Sequence, residues 1–466
     1  MDPLEAITPI DGRYREKLSN LKDYFSEYAL IKERVRIEIE YLAEFIEEVE
    51  YSKSSLLPND WREILLNIYR NFSLEDARKV KEFEKKLGHD VFAVVKYLME
   101  KFDEKKLEIL KPYIHIGLTS EDVNNLAYSS LLNRFNREVL VPVLLKLVDK
   151  LSSISFQYVD TVMLGRTHGV PAVPTTFGRF IVNYAYRIAK ILEQIADMKF
   201  PGKLGGAVGD HNALKFVYPE VDWISFSKSF VESQGLIYFP ATTQILPHEI
   251  LSSYLMEISI LDSILSNLCR DIWMLSLIEY VSFPLEVGEV HSSTMPHKSN
   301  PILLENAEGA FDLASSILSY MSTRLISSRL HRDLSDSVVK RFYGVPLSLT
   351  YMGVKNLLTI LDKMQINKER MALDVEKHPE ILSEAFQLYL RRHGHSKAYE
   401  IIQRIVRERP EKIIEELESL VPAGEIEKLA KLKPIEYLGE AERIVMNLIQ
   451  EVEKIKSRIE DYRGSL

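Results

Sequence analysis

Apolar residues recur at helical spacing along most of this 466-residue chain. From Phe177 they fall at Phe180, Ile181, Tyr184, Ile188, Ile191, Leu192 and Ile195, which is every third or fourth position rather than every second. Similar stripes run through 24–47, 139–156, 251–281 and 302–330, with Pro142 where a first helical turn tolerates it. Each is about 18 residues or more, against a mean globular helix of about 11–12. The longest, about 30 residues, implies a helix of about 45 Å at about 1.5 Å per residue. Candidate strands are few, no run alternates clearly and no repeat is visible, so the pattern predicts an all-α fold. Helices of this length need their apolar faces covered end to end. That predicts an elongated central bundle in a homo-oligomer.

Composition sharpens this reading. Gly and Pro number only 19 each, about 8% together against a usual sum of about 12%, so turns are sparse. Breaks near Lys111-Pro112 and near 364–367 suggest an N-terminal helical domain (1–112), a central long-helix bundle (113–364) and a C-terminal helical domain (365–466). The last is rich in Glu and Lys and reads as a solvated cap. Lys plus Arg total 59 and Asp plus Glu 68, and 59 − 68 = −9 gives no general attraction to nucleic acid or an anionic membrane. A single cysteine, Cys269, excludes an intramolecular disulfide and any multi-Cys metal site. The opening MDPLEAITPIDGRY lacks the apolar stretch of a signal peptide. The most apolar region is broken by Glu257, Asp262, Arg270, Asp271 and Glu279, so no membrane span is expected. The expected location is the cytoplasm.

Four segments concentrate candidate chemistry. The first is 288–309, GEVHSSTMPHKSNPILLENAEG, whose Asn300-Pro301 predicts a helix start with Asn as N-cap and Pro at the first helical position. The preceding residues form a loop that ends on an anion-favouring helix terminus, with Ser292 and Lys298 as candidates for nucleophile or base and for charge stabiliser. The second, 165–178, presents His168 on a rigid turn ahead of two prolines. That placement suits proton transfer, although a histidine satisfying local backbone is the plainer reading. The third, 117–125, spaces Thr119 and Asp122 as a capping box, and its hydroxyls and free N–H groups could hold a carboxylate. The fourth, 82–91, sets His89 beside Asp90. The glycines of 202–209 lack dinucleotide-binding spacing, and His393-Gly394-His395 reads as a turn.

These segments resemble the fumarase/aspartase superfamily. SSTMPHKSNP at 292–301 is similar to its signature loop. DGRY at 11–14, HDV at 89–91, TSED at 119–122, RTHG at 166–169, TTQI at 242–245 and RDLSDS at 332–337 resemble, in order and spacing, the adenylosuccinate lyase family of the longer bacterial type. The resemblance implies an all-α, three-domain homotetramer around a shared bundle, with each active site assembled from three subunits. It implies β-elimination of fumarate from adenylosuccinate to give AMP, and from succinylaminoimidazole carboxamide ribotide to give the free carboxamide ribotide. It implies no metal and no cofactor.

The chemistry needs a base for a Cβ proton beside a carboxylate, donors for the resulting dianionic aci-carboxylate, and an acid for the departing nitrogen. By resemblance Ser292 is the base and His168 the general acid. Lys298 and Asn300 hold the succinyl carboxylate, His89 supports the acid side, and Glu305 is a partner carboxylate near the acid. Arg13, Tyr14, Arg332, Ser337 and Arg341 match nucleotide- and phosphate-binding positions. Thr119, Ser120 and Gln244 match positions for the succinyl portion, Asn306 matches another contact, and Asp90 stands with His89 in the same site. Three positions depart from the family pattern: Val170 stands where Gln is usual, His291 where Gly is usual, and Gly88 where a polar residue often precedes His89. The alternatives are another superfamily lyase, such as one like argininosuccinate lyase, which would need no phosphate site, or a non-catalytic helical scaffold.

Overall fold

The computed structural model describes residues 2–284, 294–295 and 298–464. Its architecture is mainly α, and long helices pack side by side. Phe177–Asp197 lies against Val141–Gln157, Glu249–Leu277 and the last helix, Ala441–Gly464, while Ile302–Arg324 is sandwiched by Glu249–Leu277 and Gly344–Lys363. Their inward faces share one apolar cluster that takes in Ile188, Leu192, Ile258, Leu265, Phe311, Leu318 and Leu357. Gly353 permits a close approach, because a Cβ there would meet the Phe311 ring at 2.5 Å. Ser259 adds a polar contact between two of these helices, 2.8 Å from the Ser319 hydroxyl. A separate small core, around Phe386, Leu390, Ile402, Ile405 and Leu417, lies in the C-terminal part. The last helix leaves it and returns to the bundle through Val452, Ile455 and Ile459. Among the described residues, no helix is long and apolar enough to cross a membrane.

Element boundaries differ from the apolar stripes where local chemistry intervenes. The stripe over 24–47 is two helices, because Ser26 turns extended and caps Glu27–Glu48 through the Ala29 N–H (3.1 Å). The stripe over 251–281 is helical only over Glu249–Leu277. Glu279 adopts a left-handed φ of 64°, and Val281–Ser282 pairs with Gln365–Ile366. The stripe over 302–330 ends at Arg324, whose guanidinium folds back onto the Ser327 carbonyl (2.8 Å), while Ile326 and Leu330 face solvent. Pro301, not Asn300, is the N-cap residue of Ile302–Arg324, so that expected start is one residue early. Pro142 sits in the first turn of Val141–Gln157, directly after a π-helical turn, Asn136–Leu140. The wider turn accommodates a residue that has no N–H and would crowd the preceding carbonyls.

Strands are few among the described residues, as expected, but one hairpin forms where no run of the sequence alternates. Val162–Thr167 and Val170–Thr176 form an antiparallel hairpin with a bulge at Gly165, and His168 and Gly169 are its tip. Gly165 is required there because a Cβ would lie 2.6 Å from the Val173 carbonyl. Pro171 and Pro174 mask the second strand in sequence, yet an isolated two-stranded ribbon tolerates N–H-less residues along its open edge.

Asp262 is fully buried between Glu249–Leu277 and Gly344–Lys363, with Thr350 donating to Oδ2 at 2.9 Å and Oδ1 unpartnered. Burial pushes its carboxyl well above the ordinary carboxylate range, only partly opposed by Thr350. A carboxyl that binds its proton more tightly when folded stabilises most below its unfolded pKa of about 3.9, and that stability is lost as pH rises toward the folded value. Asp262→Asn, which mimics the protonated group, should therefore melt at or above the wild-type temperature at pH 7, with the difference shrinking toward pH 4. A drop of several degrees at pH 7 in differential scanning calorimetry would show that the site holds an ionised carboxylate.

Candidate active site

Residues from five stretches of chain converge on a cleft of about 510 Å³. Its construction begins at Asp122, which is fully buried. One carboxylate oxygen accepts from Lys203 Nζ (2.6 Å) and the Gly205 N–H (3.1 Å). The other accepts from the Gly206 N–H (3.0 Å) and the Thr119 N–H (2.9 Å). The glycine-rich segment is thus a cradle for a carboxylate of this same chain. Asn125 completes the joint by exchanging hydrogen bonds with the Lys203 backbone at 2.9 and 3.0 Å. Thr119 and Ser120, at the start of the helix Ser120–Phe135, are held at the cleft wall. The approach to them is tied down by His115, whose Nδ1 is 2.6 Å from the buried Glu38.

His89 and Asp90 open the helix Asp90–Glu104. His89 Nδ1 accepts the Phe92 N–H at 3.2 Å, so a neutral ring carries its proton on Nε2. Gly88 ends the preceding helix with φ of 68°, a conformation glycine reaches without strain, and that geometry accounts for the departure there. Burial raises the Asp90 pKa, but Arg34 (2.8 Å), the Val91 N–H and Arg341 (3.1 Å) together hold it below the ordinary carboxylate range.

The helix Ser335–Arg341 supplies both wall and floor. Ser337 and Arg341, four apart, line the cleft, while Asp336 and Lys340 point inward and are buried. Lys340 Nζ lies 2.7 Å from both Asp336 and Glu121, and Arg332 contacts the same two carboxylates at 3.0 and 3.4 Å. Burial alone would lower the Lys340 pKa, but these carboxylates raise it. His248 lies beneath, 3.8 Å from Asp336, and burial lowers its pKa. Glu121, His248 and Asp336 could in principle ligate a metal, but the Lys340 ammonium already occupies the space between the carboxylates.

The cleft therefore gathers eight of the residues named from resemblance: His89, Asp90, Thr119, Ser120, Gln244, Arg332, Ser337 and Arg341. Gln244 is fixed by its amide donating to the Ala207 carbonyl at 2.9 Å. Arg13, Tyr14, His168, Lys298, Asn300, Glu305 and Asn306 do not line it. His168 and Val170 are exposed on the hairpin, with His168 at φ of 54°. Arg13 and Lys298 are exposed, Glu305 accepts from the Trp273 indole (3.2 Å), and Asn306 accepts from Asn356 (2.6 Å). Ser292 and His291 lie outside the described residues. Arg34, Asn124, Tyr128 and Lys340 line the cleft without having been singled out. Lys340 had a signal in its spacing four after Asp336; Arg34 sits among ordinary helix charges and had none.

The family described as Lyase matches residues 12–312, and that described as Adenylosuccinate lyase C-terminal matches 328–438. The adenylosuccinate lyase of Legionella pneumophila (strain Philadelphia 1) is 38% identical over 449 residues, covering 95% of this chain and 98% of the relative. That of Escherichia coli (strain K12) is 35% identical over 453 residues, covering 96% and 99%. Among solved structures, the 3-carboxy-cis,cis-muconate lactonizing enzyme of Pseudomonas putida superposes with a TM-score of 0.75 at 20% identity, over 94% of this chain and 98% of that one. At that identity the likeness speaks for the fold.

Lys203 and Asp122 are both wholly inaccessible. Removing one member of such a pair leaves a buried charge unmatched, at a cost of about 3–5 kcal/mol. Lys203→Met should lower the urea midpoint accordingly, whereas an unchanged midpoint would show that the glycine amides alone satisfy Asp122.

Proposed function

The chain belongs to the adenylosuccinate lyase family of the fumarase/aspartase superfamily, and from that premise we propose how its residues divide the reaction. The substrate is adenylosuccinate, cleaved to AMP and fumarate, and the same site cleaves the analogous succinylaminoimidazole carboxamide ribotide. The single observation that carries this reading is the cleft itself, where eight positions matched to substrate-binding residues of the family, distant in sequence, line one wall system.

In this reading Ser292 removes the Cβ proton, and the electrons move toward the adjacent carboxylate to give an aci-carboxylate. Lys298 and Asn300 stabilise that charge. Thr119 and Ser120 hold the succinyl portion through hydroxyls and first-turn N–H groups, with Gln244 and Asn306 as further contacts. His168 protonates the departing nitrogen, supported by His89 and Glu305. Arg332, Ser337 and Arg341, with Arg13 and Tyr14, receive the nucleotide and its phosphate.

The cleft's four cations, Arg34, Arg332, Lys340 and Arg341, are all paired with carboxylates within the chain. A substrate with roughly four negative charges needs more positive potential than that. Because His168, Lys298 and Arg13 do not line the cleft, we place them in sites shared between chains of a homotetramer. Exposed Ile260, Trp273, Met274, Leu277, Leu313 and Tyr320 on the long helices support such an assembly. The division into 1–112, 113–364 and 365–466 belongs to the same proposal, as does a cytoplasmic location. The separate core around Phe386 supports a distinct C-terminal part.

The test is an ultraviolet assay of the purified protein on adenylosuccinate beside argininosuccinate, malate and aspartate. Stoichiometric AMP and fumarate are expected, and turnover of another compound alone would overturn the phosphate-site assignment. A charged hydrogen bond contributes about 1.5–3 kcal/mol and about 1.4 kcal/mol is tenfold in binding, so Arg341→Gln should raise KM about 10–100-fold. An unchanged KM would remove Arg341 from the site. Ser292→Ala and His168→Ala should each be nearly inactive yet folded, and mixing them under subunit exchange should restore activity. No recovery in mixtures shown to exchange would refute shared sites.

A further inference from the structure

The hairpin that carries His168 is by itself a poor support for an acid. A two-stranded ribbon is marginally stable in water. Its tip holds a non-glycine residue at φ of 54°, followed by Gly169 at 80°, a conformation that disfavours an L residue. The base of the ribbon is anchored by Val162 and Leu164 against Val375 and Ile381. Beyond the bulge at Gly165 the chain is exposed from Arg166 to Val170. Along that stretch, the ion pair that ties the ribbon to the rest of the chain among the described residues is Arg166 with Asp374, at 2.7 Å.

Asp374 lies on the helix Lys368–Glu376 and is 8% exposed. One of its oxygens accepts both from the Arg166 guanidinium (2.7 Å) and from the Tyr280 hydroxyl (2.6 Å). Burial alone would raise its pKa, yet the two donors hold it below the ordinary range, so it stays ionised in service. Tyr280 is fully buried and stands in the stretch of chain that leads toward Lys298. Its carbonyl accepts the Asn367 N–H (2.9 Å), and it leads into Val281–Ser282, paired with Gln365–Ile366. The next carbonyl, that of Phe283, accepts from the hydroxyl of Ser299, the neighbour of Lys298.

We propose that Asp374 is a positioning residue for catalysis: a single buried carboxylate that fixes the His168 hairpin through Arg166 and, through Tyr280, the root of the segment that carries Lys298. The inference rests on the roles given above to His168 and Lys298. In sites shared between chains, the two elements belong to one chain whichever sites they serve. A displacement of about 1 Å at a reacting group can cost about a hundredfold in rate, whereas the cleft that binds the nucleotide contains neither Arg166 nor Asp374.

The test compares wild type with Asp374→Asn, Asp374→Ala, Arg166→Gln, Arg166→Lys and the double variant Asp374→Asn/Arg166→Gln, assayed on adenylosuccinate well below each melting temperature. The expected result is a kcat lowered about tenfold in Asp374→Asn and further in Asp374→Ala, with KM within about threefold of wild type. Arg166→Lys should recover part of what Arg166→Gln loses, and the double variant should be no slower than its worse single. A folded Asp374→Ala with more than half the wild-type kcat, a change confined to KM, or multiplying losses in the double would overturn the proposal. Trypsin gives a readout independent of turnover. Cleavage after Arg166, followed by mass spectrometry, should quicken in Asp374→Ala, and equal rates would refute the anchoring. A wild-type protein silent on adenylosuccinate would bring down the reaction itself, while the tryptic comparison would still decide the clamp.

Discussion

The buried carboxylate of Asp122 is the joint on which the cleft depends. A desolvated charge of this kind is tolerated only when every lone-pair direction is answered. Here the answers come from Lys203, from the amides of Gly205 and Gly206 and from the amide of Thr119. Two parts of the chain, 119–122 and 203–206, are thereby obliged to meet. Because Thr119 spends its N–H on Asp122, the helix that follows starts at a defined place, and Ser120 is delivered to the wall of the cleft. The glycines serve this purpose as well: Gly206, at φ of 70°, turns its N–H inward where a side chain would be strained.

Around this joint the cleft is built from charges that are already paired. Arg34 and Arg341 share Asp90, while Lys340 and Arg332 share Glu121 and Asp336. Such a network orders the cationic side chains before any ligand arrives, so less side-chain entropy remains to be lost on binding. It also leaves little surplus positive charge in one chain. Preorganisation and near-neutrality together fit the proposed sharing of the site, in which each chain would offer an ordered wall and a neighbour the further cations. The long helices keep apolar side chains such as Met274, Leu277 and Tyr320 exposed, which accords with the proposed assembly, and the hairpin residues do not line the cleft.

The hairpin shows why local pattern was insufficient. Its first strand is only six residues long and its second holds two prolines, so neither length nor alternation marked it. It exists because Val162 and Leu164 find Val375 and Ile381 some two hundred positions later. Helix ends were missed for the opposite reason. The stripes were real, but Ser26, Glu279 and Arg324 ended or divided the helices through caps and left-handed turns that a periodicity cannot register. Asp374 had no signal at all, being one carboxylate among many on an ordinary short helix.

By itself the sequence determined the helical class, the long bundle elements, the helix start at Thr119, and the motifs that identify the family. All of these depend on spacing between near neighbours, which one-dimensional order preserves. Tertiary structure decided which motifs share a cleft, that the glycine segment cradles Asp122 rather than a ligand, that Lys340 fills the one possible metal cluster among the described residues, and that Asp374 joins Arg166 to Tyr280. Those outcomes turn on the pairing of buried charges between distant segments. The energy of such a pair depends on distance and desolvation, and neither quantity is set until the chain has packed.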